Sequence, residues 1–430
     1  MSDRLRPSEV FTPRRTDVNT GMYIDRGDVQ RVFFDAISST QHLIVFGDSG
    51  SGKTWLYKQA FSEKGADFLV VDLAKADLNG LDYALASALP QPRWKTIKRT
   101  SGGNANWKIL DFGFGGSIKQ EEEPVEVDAF DAIIEYVKQS GRNTFLVFDN
   151  LEQVSRNQDI LKQILSLVIQ LDNASSGGDV LRFLFVGVVS DMAEVVAAHD
   201  FAGTIGNRLY ELPEVQRLNP EETAQLLERG FCEKLKIDLD RDYDYFKDIA
   251  FLTDRNAQQL HSLSYEIACE ARDAGYKLNK EVFDRGVQRW ESSSLKLYSA
   301  QVQRRMNKRD TRIQRRNQVL FAMAISDKTE FTTSDVEAKV RELFPGDAEG
   351  KQQLGIDQIV KQLATGTDNI LAPVADGTFY RFAHPKYRPA IRMRLEHLKK
   401  KSGKQRIDVQ GRRVREIVQL ITNSFSENSE

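Results

Sequence analysis

Eight residues, Gly47-Asp48-Ser49-Gly50-Ser51-Gly52-Lys53-Thr54, limit what this chain can fold into more than any other stretch. They follow the apolar run Leu43-Ile44-Val45-Phe46 and open a segment with helical spacing, Trp55 to Phe61. The pattern G-x-x-x-x-G-K-T between a strand and a helix is that of a phosphate-binding loop. Its glycines let the backbone turn tightly and approach phosphates closely. Successive N–H groups and the helix N-terminus then face the anion. Lys53 is expected to reach the β- and γ-phosphates of ATP, and the Thr54 hydroxyl to hold Mg²⁺.

A loop of this kind needs an acid at the end of a neighbouring strand. Thr144-Phe145-Leu146-Val147-Phe148-Asp149 supplies an apolar run ending in a carboxylate, which places Asp149 beside the loop as the second Mg²⁺ ligand. Asn150 follows where many such enzymes carry a water-polarising Glu. Glu152 either substitutes for it or is a first-turn acid of the next helix. Hydrolysis is therefore expected to be slow. A third apolar run, Arg182 to Val189, ends at Ser190, which either contacts the γ-phosphate or caps the following helix. Arg208, ahead of a short strand, is either a phosphate-reaching arginine, within one subunit or between subunits, or a surface ion-pair member. Arg26 precedes the helix from Asp28 to Ser38 and either serves the nucleotide or is a surface charge.

The remaining chain divides by composition. With 430 residues it has room for two or three domains. Residues 1–20 read as an irregular lead-in, broken by Pro7 and Pro13. Residues 21–218 read as the α/β core, with helices from Leu78 to Leu89 and from Asp128 to Gln139. A Gly/Phe-rich insertion at about 95–126 is either a hairpin or a long loop. Helical segments fill 219–293, starting at the Asn219-Pro220-Glu221-Glu222 signal. Residues 294–396 read as helix, helix and an Asp-Gly hairpin, the order of a winged helix. The net charge of −2 excludes a polyanion binder by bulk composition, so any such surface must be local. Two stretches qualify. Residues 301–316 carry seven Lys/Arg against one acid, and residues 381–415, running into the basic tail at 397–430, carry thirteen against two. Both suit phosphate contacts with DNA or a solvated charged face. Two cysteines and five histidines give no disulfide framework or metal set. No apolar run approaches a membrane span, so a cytoplasmic protein is expected.

Tyr23-Ile24-Asp25-Arg26, the Gly47–Thr54 loop, Phe145-Leu146-Val147-Phe148-Asp149-Asn150-Leu151-Glu152, Ser190 and Arg208 together resemble the AAA+ and STAND ATPases, with origin-recognition initiators and switch ATPases as nearest cousins. The resemblance spans about residues 20–290. It implies a P-loop NTPase parallel sheet with helices on both faces, an all-α lid and a winged-helix domain. Ser190 would be the first sensor and Arg208 the arginine finger of a homo-oligomer. Either Arg255 or, in a shifted register, a neighbouring glutamine is the candidate for the second sensor in the lid. Two functions fit: a nucleotide switch that assembles on DNA through residues 304–316 and 381–415, or a STAND-type signalling or antiviral-defence ATPase that regulates a separate partner protein.

Overall fold

A computed structural model describes residues 4–90, 94–97, 108–111, 128–154, 157–173, 181–187, 206–307, 314–374 and 377–402. The chain forms two compact units, one from Arg15 to Gln216 and the other from the first fourteen residues together with the chain from Arg217 onward. A helical turn, α1 (Pro7–Val10), opens the described residues, so the first twenty are not irregular throughout. Phe11 after it is buried, and its ring lies 5.0 Å from that of Phe231 in the same unit.

The Arg15–Gln216 unit is built on a parallel sheet in the order β2-β5-β6-β1-β7. Its strands are β1 (His42–Phe46), β2 (Asp67–Asp72), β5 (Thr144–Asp149), β6 (Leu181–Gly187) and β7 (Leu209–Glu211). Every residue of β6 is buried. Near-continuous apolar runs follow from a sheet covered on both faces. Alternation then splits the core. Leu43, Val45, Phe145 and Val147 pack on the side of α2 (Asp28–Ile37) and α3 (Lys53–Lys64). Ile44, Leu146, Phe148 and Phe185 pack with α4 (Leu73–Asn79), α5 (Leu81–Ala88), α6 (Ala129–Ser140) and α7 (Gln158–Asn173). The helix expected over Leu78–Leu89 is in fact two, broken at Gly80, whose φ of 91° no helix accommodates. Helix α6 starts where Asp128 accepts from Phe130 N at 2.7 Å and stops at Gly141 in the left-handed region. In the insertion, β3 (Trp94–Ile97) pairs antiparallel with β4 (Lys108–Asp111), the hairpin alternative. The Gly/Phe run at 112–116 lies outside the described residues.

The second unit is mainly helical: α8 (Pro220–Leu227), α9 (Tyr245–Thr253), α10 (Ala257–Asp273), α11 (Lys280–Trp290) and α12 (Lys296–Arg305), with a short parallel pair, β8 (Asp238–Leu239) and β9 (Lys277–Leu278). Helix α8 begins with a reciprocal cap between Asn219 and Glu222. Then come α13 (Arg315–Ile325), β10 (Glu330–Phe331), α14 (Thr333–Leu343), a short turn α15 (Pro345–Ala348), α16 (Ile356–Leu363), β11 (Leu371–Val374), β12 (Phe379–Phe382) and α17 (Tyr387–Ser402). The last strands make a three-stranded antiparallel sheet, β10-β12-β11.

Helix α17 is fastened by two arginines that the sequence offered as DNA contacts. Arg388 and Arg392 are 3% and 8% exposed. Both pair with Asp254, at 3.2 and 3.0 Å, and Arg217 joins the same carboxylate at 2.6 Å. They also donate to carbonyls at helix C-termini: Arg392 to Phe251 of α9 and to Ala324 of α13, Arg388 to Ser326. Unsatisfied carbonyls and the negative end of the helix dipole favour cations there. Arg305 does the same for α16, through Gln362 O at 3.2 Å and Thr365 O. These three basic residues are structural clamps. Among the described residues no helix is long and apolar enough to cross a membrane.

Candidate functional site

The loop between β1 and α3 is shaped by close backbone approach. A Cβ on Gly47 would lie 2.4 Å from Val215 O, so only glycine fits there. The segment after β7 runs along the loop: Leu212 N donates to Ile44 O and Val215 N to Phe46 O, at 3.0 and 2.8 Å. Gly50 and Gly52 have φ of 77° and 105°. Ser51 N closes a turn onto Asp48 O at 3.1 Å. Ser49 is exposed, Asp48 half-buried.

Lys53 begins α3, and Thr54 follows it on the first turn. The Lys53 ammonium donates to Gly47 O at 2.7 Å and Asp48 O at 2.9 Å. Burial lowers its pKa, while Glu152, Asp48, Asp149 and Glu214 act through space to raise it. The Ser51 hydroxyl oxygen is buried without a hydrogen-bond partner. Arg26 braces the loop: its Nη1 donates to Ser51 O at 2.8 Å and its Nη2 to Gln216 O at 2.5 Å.

Asp149 ends β5, and Asp72 is its register partner at the end of β2. Burial raises the Asp149 pKa; the Asn150 N–H bond (2.9 Å) and Lys53 oppose this, while Glu152 and Asp72 add to it. A carboxylate crowded by acids gains from a cation. Asn150 sits at φ 64° in the left-handed region, which asparagine tolerates. Its Nδ2 donates to Asp72 Oδ1 at 3.1 Å. Glu152 lies on a 3-10 turn, Leu151–Gln153, half-buried, within the field of Lys53 and Asp149.

The donor set fits a phosphate chain with a divalent cation. A half-buried lysine and an unpartnered buried hydroxyl stand in the glycine cradle, and an acid pressed toward its neutral form stands nearby. Among the described residues no three His, Cys, Asp or Glu side chains form a metal cage. A cation here would complete its shell with phosphate oxygens and water, the usual habit of Mg²⁺.

The structure thus brings Arg26, Gly47 to Thr54, Asp149, Asn150 and Glu152 to one end of the sheet. Arg208 is elsewhere. It closes a 3-10 turn before β7, and Leu209 pairs with His42 at the amino end of β1. Four strand residues, about 13 Å at the strand rise, separate that end from Phe46 and the loop. Ser190 lies outside the described residues. Arg255 belongs to the other unit, at φ 54° after α9, its carbonyl accepting from Leu218 N at 3.0 Å. Burial lowers its pKa further than Asp254 and Asp327 restore it. Asp72 and the 214–216 segment were missed in the sequence. Asp72 had a visible signal, because Phe68-Leu69-Val70-Val71-Asp72 repeats the pattern of an apolar strand ending in an acid. The 214–216 segment had none.

Residues 36–193 match the family described as AAA domain. No curated protein matches significantly. Among solved structures, the chain is similar to the Walker-type ATPase PabY2304 of Pyrococcus abyssi, at 14% identity and TM-score 0.51, over 86% of this chain and 96% of that one. Further similarities are to the Aeropyrum pernix Orc1 protein in complex with DNA (13% identity, 92% and 96% covered, TM-score 0.46) and to the Thermotoga maritima RuvB Holliday-junction branch migration motor (11%, 90% and 98%, 0.40). The parallel sheet, the glycine loop at its carboxyl end and the family match agree: residues 36–193 are similar to an AAA domain and have an α/β P-loop fold.

Proposed function

We propose that the protein binds ATP with Mg²⁺ in the Gly47–Thr54 loop, hydrolyses it slowly and acts as a nucleotide-dependent switch. The observation that carries this is the half-buried Lys53 ammonium, held by two loop carbonyls at 2.7 and 2.9 Å beside an unpartnered Ser51 hydroxyl. Loop N–H groups and Lys53 would hold the phosphates, and Thr54 and Asp149 the cation, which neutralises phosphate charge. Arg26 acts on the loop backbone. Slow turnover is supported by the amide of Asn150 at the position of a general base. Ser190 is proposed as the γ-phosphate sensor, Arg255 as a sensor on the lid, and Arg208 as a finger reaching a neighbouring subunit of a homo-oligomer. Nucleotide titration of wild type and Lys53→Ala tests the site: equal affinity for ATP ends the proposal.

Assembly on DNA is the second part of the reading. The helix, strand, helix, helix, hairpin order of residues 315–382 supports a winged helix. The basic surface is narrower than the charge count suggested, because Arg388, Arg392 and Arg305 serve as clamps. One partly open basic place is a cavity of about 550 Å³ lined by Arg304 and Arg316 with Met306, Asn307, Asp368 and the clamp Arg305; the sequence beyond residue 402 is also basic. Arg304 is 51% exposed, though paired with Asp368 at 2.9 Å. Duplex affinity should fall steeply with salt, and Arg304→Ala with Arg316→Ala should flatten that slope by about two counterions. The STAND-type alternative, regulation of a partner protein, is favoured by those same clamped arginines. Light scattering in ADP and in a non-hydrolysable ATP analogue, with and without duplex, separates them. Absence of duplex binding at low salt, with a nucleotide-dependent change of mass, selects the protein-partner reading.

A further inference from the structure

Asn150 bridges two carboxylates. Its backbone N–H donates to Asp149 Oδ1 at 2.9 Å and its side-chain Nδ2 to Asp72 Oδ1 at 3.1 Å. The left-handed backbone at φ 64° is what lets one residue serve both. The Asp72 carboxylate is itself fixed, because Oδ1 also accepts from Ala74 N at 3.1 Å as the N-cap of α4. A carboxylate only accepts, so the NH₂ side of the Asn150 amide must face Asp72. The carbonyl oxygen of that amide is then the atom left to accept from another donor.

We propose that Asp72 is a positioning residue for hydrolysis: by holding the Asn150 NH₂, it makes the Asn150 carbonyl oxygen the acceptor that orients the attacking water. This rests on the hydrolytic reading above. In the step, the water oxygen bonds to the γ-phosphorus and the bond from that phosphorus to the bridging oxygen breaks. The electron pair stays on ADP, and the proton of the water passes to the released phosphate. The amide accepts a hydrogen bond and takes no proton, as amides that orient water in phosphoryl transfer do. The bland alternative is that Asp72 only caps α4.

The two roles separate by substitution. Asp72→Ser keeps a good cap but is too short to reach Asn150. Asp72→Asn caps and still accepts from Asn150. Single-turnover ATP hydrolysis should fall at least tenfold in Asp72→Ser, with ATP affinity within twofold of wild type. Asp72→Asn should recover turnover to within threefold. Asn150→Ala should match Asp72→Ser, and the double variant should be no slower than either, as for two residues acting as one unit. In nucleotide-free protein labelled with ¹⁵N-asparagine, the Asn150 side-chain amide, assigned by its loss in Asn150→Ala, should exchange with solvent slowly in wild type and fast in Asp72→Ser. Unchanged hydrolysis in Asp72→Ser overturns the proposal. So does a loss of hydrolysis accompanied by an equal loss of ATP affinity and melting temperature, the mark of a cap alone. If wild type turns over no faster than Lys53→Ala, the hydrolytic reading fails and the role of Asp72 falls with it. The amide signal then reports separately whether the contact exists.

Discussion

Of the places where this protein buries positive charge, two treat it in opposite ways. Around Asp254, three guanidinium groups converge on one carboxylate and on the carbonyl ends of α9 and α13. Burial would raise the Asp254 pKa, but Arg388, Arg392 and Arg217 override it and hold the carboxyl at about 2. The cations there are held by groups of the protein itself, one carboxylate and the carbonyl ends of helices, although burial still lowers the Arg392 pKa to about 10. At the loop, Lys53 donates to two backbone carbonyls, four carboxylates act on it through space, burial presses it toward neutrality, and a serine hydroxyl nearby has no partner. A desolvated cation in a glycine cradle is unfavourable until an anion arrives. The difference separates charge that holds a fold together from charge that waits for a ligand.

Removing Asp254 should give the largest effect. Asp254→Ala strands Arg388 and Arg392, each at most 5% exposed in its side chain, and should cost about 3–5 kcal/mol, read by urea denaturation. Lys53→Ala should leave the nucleotide-free protein no less stable while lowering ATP affinity more than a hundredfold. Comparable destabilisation by both substitutions would break the contrast. Gly47→Ala should cost about 1–3 kcal/mol and weaken ATP binding at least tenfold, since its Cβ meets Val215 O at 2.4 Å. Arg26→Ala should weaken ATP binding by about tenfold, near 1.4 kcal/mol, with little change in melting. Acid titration sharpens the comparison last. The Asp254 carboxyl has a folded pKa of about 2 against an ordinary 3.8, so its stabilisation is complete above about 3.8 and is lost as pH falls through 2. Buried His261, pushed down to about 4 from 6.5, loses its contribution earlier, as pH falls from 6.5 toward 4. Asp254→Asn should remove only the lower step in a pH series of denaturation midpoints.

Much of the loop and sheet was legible because both are local. The glycine pattern sits between a strand and a helix, and strands buried on two faces announce themselves as apolar runs. What escaped depends on tertiary partners. Arg388 and Arg392 look the same in sequence whether they face DNA or cap α13. The remoteness of Arg208 follows from the pairing of β7 with the start of β1. Asn150 read as a missing Glu, yet its left-handed backbone and its bond to Asp72 give it a positive reason to be asparagine. The ring neighbours of Phe11, Phe231 and His261, lie more than two hundred residues away, so the opening segment gave no hint that it was anchored.

That anchoring has a topological consequence. The first fourteen residues fold with the chain from Arg217 onward, so the Arg15–Gln216 unit is an insertion spliced into the other, joined by one covalent link near Arg14 and a second near Gln216. A single protease cut at either link would leave the pieces tied by the other. Only two cuts would release the Arg15–Gln216 unit as a separate fragment, and loss of the first fourteen residues would turn an insertion into a simple tandem.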